Sequence, residues 1–374
     1  MITVGVLATA RQRHGGTLLY TLSMIDALRC LPTTDYRVVL FVAADNREYD
    51  RLDLPIERLP RSPLKLAAHL VGGAPFGTTD IVIAPVYSIA LLRCGRPFVF
   101  TLHDMQERYY PQYFSLATRL WRRLVNRALT ARAARIVCES NVVKRDIIQF
   151  LGTPEDRIAV VPAPPISQLR DSAPDERAVE AIRAKFQLPL RYVFYAAQFW
   201  PHKNHLRLVE AFGLLGREHN DCALVLTGKQ RDEFDRVFHR VRELGLEGRV
   251  RHIGYVEQAD LAALYRAATV VAVPTLFESI SIPVYEAFSL GTAVCASNVV
   301  ALPEQIGDAG LLFDPLSTPD IAEKIGALLA DPGLRATLVA RGHARMASVT
   351  HDQYAAHLRS IIDAVCVPAS AKPA

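Results

Sequence analysis

No Asp-x-Asp pair occurs anywhere in the 374 residues, so the paired carboxylates that could seat a divalent ion on a diphosphate are missing. The chain also lacks a Gly-x-Gly-x-x-Gly turn, a Walker loop and a Gly-x-Ser-x-Gly elbow. This removes the signatures of dinucleotide binding, P-loop nucleotide hydrolysis and α/β-hydrolase chemistry. The six cysteines, Cys30, Cys94, Cys138, Cys222, Cys295 and Cys366, form no Cys-x-x-Cys pair and read as reduced thiols of a cytoplasmic protein. No uncharged apolar run approaches the ~20 residues a membrane span needs, and Met1–Ala8 enters a strand pattern without a basic leader, so no signal peptide is expected. The formal charge of +5 is modest; it suits an anionic small molecule or surface and gives no reason to expect nucleic acid.

What is present is a globular composition, 50% hydrophobic and 22% charged, long enough for two domains. Short β-branched runs alternate with amphipathic stretches from end to end, the βαβ pattern of parallel sheets. Strands are predicted at Ile2–Ala8, Arg37–Val42, Asp80–Ala84, Pro97–Leu102, Arg135–Cys138 and Ile158–Val161, then at Tyr192–Ala196, Ala223–Thr227, Val250–Ile253, Val270–Val273 and Ala293–Ala296. Helical patterns fill the gaps, among them Leu18–Leu28, Leu206–Leu215, Asp260–Ala268 and Ile321–Leu329. Between the two sets lie Pro162-Ala-Pro-Pro165 and a polar stretch with Asp171, Ser172, Pro174, Asp175 and Glu176, a composition suited to a linker. The expected fold is α/β: two Rossmann-like, doubly wound parallel-sheet domains facing across a cleft. The boundaries are 1–165 for the first domain, 166–190 for the linker and opening helix, 191–350 for the second domain, and 367–374 for a disordered tail. Ligands are expected at the carboxyl ends of the strands.

The most informative segment runs from Pro274 to Gly291. Strand Val270–Val273 delivers it, Pro283 suits the first position of a helix and Gly291 suits the residue after its end. A short helix, Pro283–Leu290, should therefore point its N-terminus at the strand ends, with free amides at Ser281 and Ile282 for phosphate oxygens. Glu278 stands on the loop, where it can reach sugar hydroxyls. Glu286 is placed in the first helical turn, where its carboxylate can accept both hydroxyls of a ribose. By spacing alone, two ordinary helix-start carboxylates are the plainer reading, with a metal site or an acid/base pair as the alternatives.

Glu278-x7-Glu286 inside Phe277-Glu-Ser-Ile-Ser-Ile-Pro-Val-Tyr-Glu-Ala-Phe-Ser-Leu-Gly-Thr-Ala-Val294, followed by Ala296-Ser-Asn-Val-Val-Ala-Leu-Pro-Glu304 and Gly307-Asp-Ala-Gly-Leu-Leu-Phe-Asp314, closely resembles the GT4 family of retaining glycosyltransferases of GT-B fold. The resemblance implies that Glu278 contacts the transferred sugar, the Ser281 and Ile282 amides the diphosphate, and Glu286 the ribose. Within Tyr195-Ala-Ala-Gln-Phe-Trp-Pro-His-Lys-Asn-His205, Lys203 matches a diphosphate cation of the family, with Asn204 beside it. Gln198 stands where the family usually has Arg, which leaves one of two cations to be compensated. This stretch is similar to bacterial O-antigen and polysaccharide enzymes, several of them mannosyltransferases, and so favours GDP-mannose.

Arg13-His-Gly-Gly-Thr17 matches the family's glycine-rich first loop, in which Gly15 and Gly16 let the backbone approach a phosphate or sugar. His103 in Thr101-Leu-His-Asp104 resembles the histidine that touches the donor sugar; a buried, hydrogen-bonded histidine is the plainer reading. Ser140 reads as a helix cap. Gly228 and Lys229, and Tyr255 and Val256, end strands of the second domain and should line the base and diphosphate pocket. Val161-Pro-Ala-Pro-Pro165 departs from the family's usual Val-Pro-Asn-Gly-Val.

The resemblance implies transfer with retention, no cofactor and no catalytic metal. Lys203 and helix amides would steady the leaving group, and Glu278 and His103 would position the sugar. The acceptor would be a glycan or lipid-linked glycan. A terminal helix, about 351–366, would pack back on the first domain. Residues 112–135 hold six arginines and no acid, with Leu116, Leu120, Trp121, Leu124, Val125 and Leu129 near helical spacing. This is a solvated basic face or a peripheral contact with an anionic membrane, on the inner face of the cytoplasmic membrane. Two rivals use the same scaffold: a nucleotide-sugar epimerase or phosphorylase, and a binding subunit without turnover, hinted at by Gln198.

Overall fold

The structure, a computed structural model, describes residues 1–12, 15–60, 76–165, 174–215 and 219–366. Arg13 and His14, the predicted linker residues Asp171 and Ser172, and the predicted tail 367–374 lie outside the described residues. The chain divides into two compact units, Met1–Ile166 with Val349–Ala374, and Ser167–Ser348.

In the first unit, β1 (Ile2–Leu7), α1 (Gly16–Arg29), β2 (Tyr36–Ala43), β3 (Ile56–Leu59), β4 (Ile81–Ala84), β5 (Phe98–Thr101), α2 (Leu116–Arg132), β6 (Arg135–Cys138), α3 (Asn141–Leu151) and β7 (Ile158–Val160) follow in order. The seven strands form one sheet in the order β3-β2-β1-β4-β5-β6-β7, with every pairing parallel. All four residues of β4 and of β5 are buried. Helices cover both faces of a doubly wound sheet, so its central strands read as unbroken apolar runs rather than alternating ones. Ser140 caps α3 as expected, accepting from Val143 N–H at 3.4 Å.

The second unit repeats the plan with α4 (Glu176–Phe186), β8 (Arg191–Ala196), α5 (His205–Gly213), β9 (Cys222–Thr227), α6 (Phe234–Glu243), β10 (Val250–His252), α7 (Gln258–Ala267), β11 (Val270–Val273), α8 (Ile282–Ser289), β12 (Val294–Ser297), α9 (Leu302–Ile306), β13 (Gly310–Phe313), α10 (Thr318–Ala330) and α11 (Pro332–Met346). Its six strands run β10-β9-β8-β11-β12-β13, again all parallel.

Each sheet reverses its winding once, between β1 and β4 in the first unit and between β8 and β11 in the second. At such a point the loops leaving two adjacent strands diverge to opposite faces and open a crevice at the carboxyl ends.

The last helix, α12 (His351–Cys366), belongs to the first unit. Tyr36 Oη donates to Asp363 Oδ1 at 2.5 Å and accepts from Arg359 Nε at 3.2 Å, and Tyr354, Leu358 and Ile362 on this helix are buried.

Candidate active site

In the second unit the loop leaving β8 is built on aromatic packing. Phe199 is fully buried and stacks on the His205 ring, with centroids 4.1 Å apart. Burial, with Lys203 nearby, pushes His205 down to about 3, so it stays neutral. Asn204 adopts a left-handed backbone at φ 58°, and its Nδ2 donates to the carbonyls of Pro274 and Pro315, both at 2.9 Å. Its Oδ1 accepts from Arg207 Nη1 at 3.1 Å. The Asn204 carboxamide thus ties this loop to those after β11 and β13.

This brace sets Lys203 beside the β11 loop, where its Nζ donates to Glu278 Oε2 at 2.6 Å. The two side chains, assigned separately to diphosphate and sugar by the sequence, meet as an ion pair across the β8/β11 reversal point. Gln198, on the same loop, accepts at Oε1 from Arg231 Nε at 2.9 Å.

The helix after the β11 loop starts at Ile282, with Ser281 as its cap residue and Pro283 in its first turn. Free amides were expected at both Ser281 and Ile282, but the Ser281 N–H donates to Gln305 Oε1 at 2.8 Å while Gln305 Nε2 donates back to the Ser281 carbonyl at 2.8 Å. Gln305 is buried, and this reciprocal pairing satisfies it while fixing the loop. Glu286 also differs from expectation. The first turn of α8 holds no acid; Glu286 comes one turn later, buried, with Oε1 lacking a hydrogen-bond partner. Burial raises its carboxyl to about 7, against a smaller lowering by Tyr265 and Gln258, which stand beside it. A buried acceptor left open is costly unless something donates to it.

Gly228 has φ +136°, and a Cβ there would lie 2.2 Å from the Ala197 carbonyl oxygen. Only glycine lets the ends of β8 and β9 approach this closely. Its N–H donates to the Gly254 carbonyl at 2.9 Å, which draws in the β10 loop. Lys229 Nζ lies 5.1 Å from the centre of the Tyr255 ring, which is 55% exposed, and Val256 follows. Among the described residues no three His, Cys, Asp or Glu side chains gather as a metal would require.

In the first unit Gly15 caps α1 at φ 57°, ψ −118°, a conformation that disfavours any Cβ, and Gly16 is the first helical residue. His103 is tied on both ring nitrogens, Nδ1 to Glu139 Oε2 and Nε2 to the Pro85 carbonyl, each at 2.9 Å. Both partners are acceptors, an arrangement that favours a proton on each ring nitrogen. Burial, the largest influence, opposes that charge, but Glu139, Asp104 and the Pro85 carbonyl together outweigh it and raise the His103 pKa. The plainer of its two readings, a hydrogen-bonded histidine, describes this geometry. Glu139 escaped the sequence reading although it directly follows β6; its one signal is an acid at a strand's carboxyl end. Arg231 and Gln305 were missed as well, the first because nothing local marks it. Gln305 has a faint signal, a polar residue on the apolar side of a helix pattern.

Two sequence models match the chain, Glycosyltransferase Family 4 over residues 22–164 and Glycosyl transferases group 1 over residues 179–345. The chain is 32% identical over 250 residues to the O-antigen chain mannosyltransferase B of Escherichia coli, spanning 66% of this chain and 65% of that one. It is 33% identical over 241 residues to a D-inositol 3-phosphate glycosyltransferase of Nocardia farcinica, spanning 59% of this chain and 52% of that relative. Among solved structures, Anabaena HepE in complex with UDP and glucose superposes with a TM-score of 0.79 at 20% identity, over 96% of this chain and all of that one. With two parallel doubly wound sheets, and a family match in each half, the chain belongs to the GT4 family of glycosyltransferases and has the GT-B fold.

Proposed function

We propose that this protein is a retaining glycosyltransferase that moves a hexose, mannose in our reading, from a nucleoside-diphosphate sugar to a glycan or lipid-linked glycan, without a metal. The observation that carries it is Glu286, a buried carboxylate with one oxygen unpartnered on the helix that follows β11. Tyr265 and Gln258 flank it as donors from the protein, and vicinal ribose hydroxyls would add donors to the open oxygen. Lys203, released from Glu278 by an incoming diphosphate, would balance the charge that develops on the leaving group. Glu278 would then accept from the sugar's hydroxyls. Mannose is favoured by likeness to the E. coli O-antigen chain mannosyltransferase B, and GDP by the sequence resemblance of Tyr195–His205; that relative is spanned over 65% of its length, so donor and acceptor belong to this proposal.

The first unit would serve the acceptor. Leu116, Leu120, Trp121 and Leu124 on α2 are all more than half exposed, with Arg119, Arg123 and Arg127 among them, a face suited to anionic lipid near a lipid-linked substrate. No helix among the described residues is long and apolar enough to cross a membrane.

The test is transfer of labelled mannose from GDP-mannose to lipid-linked glycans extracted from bacterial membranes, in EDTA. Wild-type transfer that falls at least ~100-fold in Lys203→Ala, Glu278→Ala and Glu286→Ala supports the reading, that being the usual scale for losing one electrostatic contact to the transition state. Near-normal turnover in all three overturns it. Release of free sugar or an epimer instead would favour the rival chemistry on this scaffold.

A further inference from the structure

We infer that Arg231, on the loop after β9, is a second cation for the donor diphosphate, held in place by Gln198 and Trp200; the inference rests on the donor-site reading above. Gln198 Oε1 fixes the guanidinium through Nε at 2.9 Å, and the guanidinium carbon lies 5.1 Å from the centre of the Trp200 ring. A hydrogen bond at one edge and an aromatic face beneath it set both the position and the plane of the group. Its two Nη nitrogens have no acceptor among the described residues. Asp232 and Glu233 follow directly, yet neither pairs with Arg231; Glu233 instead meets Arg236 at 3.3 Å.

The surroundings link this guanidinium to Lys203. The β8 and β9 loops are stitched on both sides of the contact, Phe199 N–H donating to the Lys229 carbonyl and Glu233 N–H to the Phe199 carbonyl, each at 3.2 Å. The carbonyl of Trp200, the residue under Arg231, accepts the Lys203 N–H at 2.9 Å. Lys203 already has an anionic partner in Glu278, whereas Arg231 is oriented and unspent. A planar fork with two free N–H edges matches phosphate oxygens better than a point charge does. Gln198 is then a positioning residue, which presents a cation from the neighbouring loop instead of supplying one itself.

The experiment is calorimetric titration of the full chain with GDP, UDP and ADP, using wild type, Arg231→Gln, Lys203→Ala and the double variant Gln198→Arg/Arg231→Gln, each checked for an unchanged melting temperature without ligand. The expected result is that Arg231→Gln weakens the nucleotide that wild type binds by about 10- to 100-fold, the range for losing a hydrogen bond to a charged group. The double variant, which returns a cation to the same place from the other loop, should restore most of it. A loss under about threefold in Arg231→Gln while Lys203→Ala loses binding overturns the inference and leaves the donor site standing. A loss that the double variant fails to restore assigns Arg231 a structural role and overturns it as well. If wild type binds none of the three nucleotides, the donor-site reading falls and this inference with it.

Discussion

Lys203 and Glu278 lie 75 positions apart in the chain and meet at 2.6 Å, one from each of the two loops that diverge at the reversal point of the second sheet. Both side chains are mostly shielded, at 21% and 17% exposure. In the donor site we propose, a ligand would have to separate this pair before its cation could meet a diphosphate and its carboxylate a sugar.

Removing either partner should therefore affect chemistry far more than stability. Lys203→Ala and Glu278→Ala are each expected to cut transfer at least ~100-fold while costing about 1–2 kcal/mol of folding free energy, above the surface ion-pair range because the site is partly buried. Urea denaturation beside steady-state kinetics checks both halves; variants that fail to fold would assign the pair a structural role.

Glu286 makes stability and binding depend on pH in opposite senses. Its carboxyl is raised from 4.5 to about 7 by burial. The folded state therefore holds the proton more tightly than the unfolded one. The resulting stability is fully present below pH 4.5 and is lost as pH rises through about 7. Relative to Glu286→Gln, the ligand-free wild type should lose roughly 3 kcal/mol between pH 4 and 8. Ribose hydroxyls need the ionised form as acceptor, so nucleoside-diphosphate affinity should rise through the same window and stay flatter in Glu286→Gln. Denaturation and calorimetry across pH 5–8 read both; parallel profiles for the two proteins would contradict the assignment.

Gly228 has no tolerance for a side chain. At φ +136°, with the Ala197 carbonyl 2.2 Å from an added Cβ, Gly228→Ala should destabilise by about 2 kcal/mol or more and displace the loop that carries Gln198. Gly248→Ala, where a Cβ meets nothing within 4 Å, is the control and should change stability by less than about 1 kcal/mol. Equal melting curves for the two variants would contradict this.

The face of α2 gives a membrane prediction that the structure has sharpened. The sequence counts six arginines over residues 112–135, but Arg135 lies in β6, and of the five on α2 Arg122 turns inward to pair with Asp104 at 2.8 Å and Glu107 at 2.9 Å. It belongs to the fold and not to a lipid-facing set. Replacing Arg119, Arg123 and Arg127 by Gln should reduce partitioning onto vesicles with anionic lipid about 100-fold, at ~1 kcal/mol for each cation near the surface. Unchanged sedimentation with such vesicles would make α2 a solvated surface.

The architecture was legible because central parallel strands are written as buried apolar runs: Val270–Val273 and Ile81–Ala84 are buried at every position and stand out without context. The two strands the sequence hid, β3 and β13, are sheet edges. β3 sets two adjacent charged residues in Ile-Glu-Arg-Leu, and β13 opens on Gly310, where an added Cβ would lie 2.8 Å from the Val294 carbonyl oxygen. The Glu278 and Glu286 positions were legible as a spaced motif. Arg231 and Gln305 were not, because what matters about each is a contact with a residue 33 or 24 positions away, and no local pattern encodes it.

The most direct test of the central claim is a thermal-shift comparison of wild type and Glu286→Ala against GDP, UDP, ADP and TDP, with and without EDTA. A ligand that binds only the folded protein raises the melting temperature by mass action. A nucleotide-sugar site built on Glu286 without a metal predicts a shift for one nucleotide, GDP in our reading, unchanged by EDTA and lost in Glu286→Ala. No shift with any nucleotide, or an equal shift in the variant, would contradict it.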